Sequence, residues 1–190
     1  YNWHWMWDTG TSDLGNICIY HIDVARWALN KNTHPVTVST TGGLHGRNDD
    51  QETPNVISSV CEYEDGVVMH NEVRNLYTNL EGTSNRLTLV YGDKGWMEIS
   101  GDGFKTFFGQ KNDPGPGLSE NDIPEEQKIN GWKEFIGCIR DRNSRNLRNS
   151  VVEGHMSAAL VHLGLTSYRT RRKLTFNPDT EKFVGDNEAN

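Results

Sequence analysis

The feature that most constrains the fold is a change of hydrophobic period near residue 36. Over residues 16–29 the apolar positions Ile17, Tyr20, Val24 and Ala28 recur at helical spacing, which predicts a helix with those residues on its buried face. The segment Thr9-Gly10-Thr11-Ser12-Asp13-Leu14-Gly15 before it offers several N-cap candidates, and Asn30 to Pro35 ends it. Beyond Pro35 the period drops to two. Residues 36–41 predict a strand closed by Gly42-Gly43. Residues 56–63 and 67–73 flank Glu64-Asp65-Gly66, and residues 86–91 and 96–100 flank Gly92-Asp93-Lys94-Gly95. Gly101-Asp102-Gly103 leads into a further strand at 104–109. Turns this short join antiparallel neighbours, because a parallel pair needs a crossover of about a dozen residues or more.

Residues 112–126, rich in Pro, Gly and acidic side chains, read as a long surface loop. Two helices follow. Trp132, Phe135, Ile136 and Ile139 give the first its apolar face. The second runs over 152–172, with Met156, Ala159, Leu160, Leu163, Ser167 and Tyr168 at helical spacing. Its basic end, Arg169 to Lys173, suits a helix C-terminus, where the backbone dipole favours cations. The tail reads as a short strand and turns. The expected class is α+β: an open, mostly antiparallel β-sheet with helices packed on one face.

Length and charge narrow the functional classes. The 190 residues suit one domain, 1–190, able to enclose a core. The net charge of -7 argues against a general binder of nucleic-acid backbones, which needs a basic field. No stretch reaches the length of a membrane span. Cys18, Cys61 and Cys138 stand far apart and form no CxxC pair, so they read as buried thiols. No GxGxxG follows a strand and no P-loop is present, so no cofactor-binding residue is assigned in the chain.

The densest polar cluster lies between His4 and Asp23. On a helix, Asn16 and Tyr20 are four apart and share a face, with His21 and Asp13 beside it. Histidine, phenol and carboxylate side chains together can bind hydroxyls and move protons. Trp3, Trp5 and Trp7 fall at every second position, which predicts an extended stretch with three indoles on one side, a surface suited to a sugar ring. Each member also has a structural alternative: the tryptophans as core, Asp13 as an N-cap, His21 as a satisfied core histidine. Metal binding has less support. His4, Asp8, His21 and His45 show no recognised ligand spacing, and His155 and His162 are two helical turns apart, so no metal ligand is assigned. The acidic run Asp49-Asp50-Gln51-Glu52-Thr53-Pro54 is expected as a solvated loop.

These residues carry a resemblance. Trp3-His4-Trp5-Met6-Trp7-Asp8-Thr9-Gly10, Gly10-Thr11-Ser12-Asp13-Leu14-Gly15-Asn16 and His21-Ile22-Asp23-Val24-Ala25-Arg26-Trp27 resemble the C-terminal domain of the Gfo/Idh/MocA oxidoreductases. So do Asp49 to Asn55, Glu153 to Leu160 and Phe183 to Asn190, in the same order along the chain. The match is nearest to a bacterial branch of dehydrogenases. The resemblance implies a substrate-side domain for a sugar, cyclitol or related polyol, joined to an N-terminal Rossmann domain that holds NAD or NADP. That domain and the family's Glu-Lys-Pro lysine are absent from this chain, so no cofactor is expected to bind these residues alone. It also implies a homo-oligomer formed through the sheet, with no nucleic-acid or membrane partner, in the bacterial cytoplasm or periplasm.

Within the resemblance one position departs. The family places an Asp, and an acid/base His four residues later, on the first helix; here those places hold Asn16 and Tyr20, and His21 stands one residue on. A one-residue step turns an α-helical side chain by about 100°, so His21 needs a local adjustment to reach the same spot. A phenol, with a reference pKa of about 10, donates a proton more readily than it accepts one. The expected site is therefore Tyr20, His21 and Asn16 for chemistry, with Trp5, His4 and Asp13 for substrate. Two other readings stand beside it: an NAD-dependent glycosidase of the same fold, and a non-catalytic sugar-binding or oligomerisation module with a degenerate site.

Overall fold

The computed structural model describes residues 2–46, 48–75 and 88–190. The predicted start of one strand at Arg86 lies outside them. The described strands are β1 (Thr37–Gly43), β2 (Val56–Glu62), β3 (Val68–Arg74), β4 (Thr88–Tyr91), β5 (Gly95–Ser100), β6 (Gly103–Phe108), β7 (Asp113–Ser119), β8 (Leu174–Asn177) and β9 (Lys182–Phe183). The α-helices are α1 (Ile19–Ala28), α2 (Gly131–Asp141) and α3 (Val151–Thr170). The chain divides into two compact units, residues 1–80 with 155–190, and residues 81–154. Its class is α+β, with every described strand pair antiparallel.

The first unit is built on a five-stranded sheet of order β3-β2-β1-β8-β9. The period-two pattern sets its inner face. Ile57, Ser59 and Cys61 of β2, Met69 and Asn71 of β3, and Val38 of β1 are buried, while their alternating neighbours are more exposed. The turn between β2 and β3 needs the residue that the sequence supplies: Gly66 sits at φ +82, a conformation that costs a side chain and not a glycine. Against the inner face pack Ile22 and Ala25 of α1 and Leu160, Val161, Leu163 and Leu165 of α3, joined by Leu174 and Phe176. Full burial of a side chain such as Ile22 is worth about 1.5–3 kcal/mol. α3 approaches β2 closely at Gly164, where an added Cβ would lie 2.9 Å from the Ser59 hydroxyl.

The first helix corrects one expectation. Its buried residues are Leu14, Cys18, Ile22 and Ala25, and the predicted face of Ile17, Tyr20, Val24 and Ala28 is the outer one, with Tyr20 70 % exposed. Apolar residues run round most of this helix, so spacing admits two stripes; packing against the sheet selects the one that closes the core.

The second unit holds the sheet β4-β5-β6-β7 and α2. β7 falls inside the stretch expected as a loop, which is the second correction. Pro114 and Pro116 are tolerated because β7 is an edge strand, and the register slips between Lys105 and Phe107. α2 begins where Asn130 accepts a hydrogen bond from the Lys133 backbone N–H and ends at Arg142 in the left-handed conformation. Its apolar residues fall on the predicted face, yet that face is open: Trp132 is 78 % exposed and Phe135, Ile136 and Ile139 are also exposed. Among the described residues no helix is long and apolar enough to cross a membrane.

Candidate functional site

The polar cluster begins on an irregular helix start. Ser12 takes a left-handed φ of +56 and its hydroxyl accepts the Leu14 N–H at 3.2 Å. Ser12 thus fills the role the sequence left open for Asp13, whose side chain makes no cap hydrogen bond. Leu14–Cys18 then forms a turn of π-helix before α1 begins. A π-turn closes its hydrogen bonds over five residues instead of four, and so lodges one extra residue in the helix. Asn16 lies inside that turn and Tyr20 and His21 lie just after it.

Asp13 is buried and held on both oxygens. Asn75, at the end of β3, donates to one at 2.7 Å, and Asn16 donates to the other at 3.4 Å. Its carboxylate fixes the helix start against the sheet and orients the Asn16 amide. Tyr20 extends outward with its phenol in the open, while His21 is half-buried. The cluster therefore presents an oriented amide and a partly shielded imidazole, with an exposed phenol nearby on the same helix, a set able to hold a hydroxyl and move its proton.

The N-terminal segment overturns the expected indole face. Asn2–Trp5 is a turn of 3₁₀-helix, not an extended strand. Its carbonyls are taken by following residues: Trp3 O accepts the Met6 N–H and the Thr9 hydroxyl, and Met6 O accepts the Thr9 and Gly10 N–H groups. The three tryptophans diverge as a result. Trp3 is exposed, Trp5 is half-buried against the ring of His4, with centroids 3.8 Å apart, and Trp7 stacks on Tyr168 at 6.1 Å. His4 itself is buried. Gly10 is required here, since a Cβ would meet the His4 backbone at 2.3 Å.

The acidic run is a loop whose Asp49, Asp50 and Glu52 are exposed as expected, while the residues between and after them are not. Gln51, Thr53, Pro54 and Asn55 are buried, and the Glu52 and Thr53 N–H groups both donate to Trp5 O at 3.0 Å. Glu52 accepts the Trp7 N–H at 2.8 Å. Asn55 pins the adjoining loop by bonding both the N–H and the carbonyl of His45 at 2.8 Å, and its own carbonyl accepts the Asn75 N–H. Asn55 and Asn75 are supports that sequence spacing missed. Asn55 lies in one of the stretches that carry the resemblance; no sequence signal marks Asn75.

Two further features lie apart from this cluster. A polar cleft of about 780 Å³ is lined by Trp7, Glu52, Tyr168, Arg169, residues 171–173 and part of β1. Its cations are largely engaged: Arg172 forms a fork with Asp186 and meets Glu188, Lys173 meets Glu62, and Arg169 lies over the Trp7 ring. Cys18 and Cys61 are buried, and burial pushes both thiols up to about 12, so neither is a nucleophile near neutrality. The second feature is a cluster of His34, His155 and Glu181, brought together from three distant parts of the sequence.

A family model for the oxidoreductase family, C-terminal alpha/beta domain, matches residues 1–190. The chain belongs to the Gfo/Idh/MocA oxidoreductase family. No curated protein matches it. Solved structures share its fold at low identity. A levoglucosan dehydrogenase in complex with NADH and L-sorbose is 16 % identical with a TM-score of 0.68, covering 95 % of this chain and 55 % of that one. The aldose-aldose oxidoreductase from Caulobacter crescentus complexed with glycerol is 17 % identical with a TM-score of 0.65, covering 92 % and 50 %. The WlbA dehydrogenase from Bordetella pertussis in complex with NADH and UDP-GlcNAcA is 15 % identical with a TM-score of 0.58, covering 93 % and 49 %. This C-terminal domain of the family thus spans about half the length of the solved relatives it matches.

Proposed function

We propose that this domain is the substrate side of an NAD(P)-dependent oxidoreductase acting on a sugar, cyclitol or related polyol. The observation that carries the reading is the π-turn at Leu14–Cys18, next to a family position that is displaced by one residue. By lodging one extra residue, the turn supplies the local adjustment that lets His21 stand in for the family's acid/base histidine. His21 then takes the proton of the reacting hydroxyl. Asn16, oriented by Asp13, binds that hydroxyl or its neighbour. Tyr20 closes over the substrate as a donor, and Trp5 and His4 hold the segment beside it.

Among the described residues no pair of parallel strands offers a dinucleotide crevice. Every described strand pair is antiparallel, and the doubly wound crevice that takes such cofactors lies between parallel strands. The reading therefore assigns hydride chemistry to an N-terminal Rossmann domain and gives this domain binding, orientation and proton transfer. Relatives of about twice its length that hold NADH beside a sugar or a sugar nucleotide support that division. The same reading makes the domain a homo-oligomer through its open sheet face, where Ser39, Thr41, His70 and Glu72 are exposed; light scattering of the intact protein tests it.

A second reading rests on Tyr20 in the family's histidine position: a sugar-binding or oligomerisation module without turnover. Assays of the intact protein with NAD(H) and NADP(H) across a sugar and cyclitol panel separate the two. His21→Ala is expected to lower kcat by roughly 10²–10⁴-fold, the usual range for a general base. Tyr20→Phe is expected to act mainly on KM. Absence of cofactor binding by the intact protein would sink the oxidoreductase reading, and a larger kcat loss from Tyr20→Phe than from His21→Ala would reverse the two roles.

A further inference from the structure

His34 lies in the link between α1 and β1, His155 lies in the first turns of α3, and Glu181 closes the turn between β8 and β9. The carboxylate oxygen Oε1 of Glu181 is 2.9 Å from His34 Nε2 and 2.8 Å from His155 Nε2. The three atoms all lie within 4.8 Å of one another. Glu181 is held at φ +52, a left-handed conformation that is uncommon for a residue with a side chain, and this directs its carboxylate between the two rings. His34 is buried, its ring edge-on to both His155 and Phe176, while His155 and Glu181 are half open to solvent.

We propose that these three side chains form a binding site for a divalent transition ion of the zinc class. Two imidazoles and one carboxylate are a ligand set that zinc takes, with an open fourth position for water. Zinc bonds of about 2.0–2.2 Å in tetrahedral geometry place donor atoms about 3.3 Å apart. Each histidine–glutamate pair opens by about 0.5 Å and the two imidazole nitrogens, within 4.8 Å of each other, draw to that separation by movement of the half-exposed His155 and Glu181 about the buried His34. Calcium and magnesium prefer oxygen-only shells and fit this set poorly.

The ion would take the place of hydrogen in both N–H···O bonds, with each imidazole proton moving to Nδ1. For His34 that nitrogen is buried and has no partner among the described residues. A ligand histidine without such a partner binds more weakly, by roughly 10–100-fold. The expected site is therefore one that loads and unloads, and that ties the C-terminal hairpin to α3 and to the link before β1.

The test uses the intact protein, stripped by chelator and titrated with Zn²⁺ in a calorimeter, with thermal unfolding in parallel. One ion per chain is expected to bind and raise Tm. His155→Ala and Glu181→Gln, both at half-exposed positions that the fold tolerates, are expected to weaken binding by about 100-fold or more and to abolish the zinc-dependent rise in Tm. His162→Ala, on the same helix but outside the trio, is expected to change neither. No zinc-dependent rise in Tm in the unaltered protein would overturn the proposal, leaving a hydrogen-bonded trio only. Affinity unchanged in both variants would overturn it as well, placing the ion elsewhere.

Discussion

The two units of this domain use similar sequence signals to different ends. In the first, alternating strands and a helical stripe close on each other, so that Leu14, Ile22, Val38, Ile57, Leu160 and Leu174 are almost wholly buried. In the second, the same kinds of pattern leave apolar surface open. Trp96 stacks between Tyr91 and Phe107 at the surface of the small sheet, and α2 turns Trp132 and Ile139 to solvent. Among its described residues, Cys138 is the one buried hydrophobic side chain. Periodicity thus reports that a face exists and not that anything covers it. Among the described residues the buried apolar core lies in the first unit, and the second leaves apolar side chains open.

Core truncations break the comparison most sharply. Ile57→Ala or Ile22→Ala is expected to lower stability by about 2–5 kcal/mol, and Ile139→Ala by no more than about 0.5 kcal/mol, as read by urea unfolding of the intact protein. Equal losses at the two kinds of site would mean that α2 is covered.

A polar position in the first unit comes next. Arg26 is 1 % exposed; it donates to Ser157 Oγ at 2.8 Å and lies 3.6 Å from Asp23, which in turn accepts from Ser157 at 2.5 Å. Arg26→Ala is expected to cost about 3 kcal/mol, since it strands polar groups that α1 and α3 bury between them. A thermal-shift loss similar to that of the exposed Arg145→Ala would refute this placement.

The smallest effect is electrostatic. Asp65 lies below the ordinary carboxylate range because Lys31 donates to it and the Val67 N–H does too. A carboxyl lowered in the folded state contributes stability above its unfolded value of about 3.9 and loses it as pH falls through the folded value. The stability gap between the unaltered protein and Asp65→Asn should thus be present at neutral pH and shrink below about pH 4. A gap that widened in acid would contradict the assignment.

Much of the fold was legible because hairpins are local. Asp65-Gly66 and Gly92 to Gly95 name their turns, and β2–β3 and β4–β5 pair across them, so the register of these hairpins follows from turn length. The helix face at Tyr20 was not legible, since two stripes were nearly equal and only the sheet chose between them. The tryptophan repeat misled for a related reason. Alternation at residues 3, 5 and 7 marks a strand only if a partner strand takes the backbone groups, and here the Trp5 carbonyl is taken by the N–H groups of residues 52 and 53 instead.

For the candidate site the sequence itself determined the inventory. Asp13, Asn16, Tyr20 and His21 crowd one helix start, and the one-residue offset from the family's pattern is visible in the letters alone. Tertiary structure decided the geometry. Burial of Asp13 against Asn75 and the meeting of His34, His155 and Glu181 each depend on residues tens of positions apart. Spacing encodes neighbours along one element; which elements touch is fixed by the packing of the core, and that packing brings together side chains no linear pattern links.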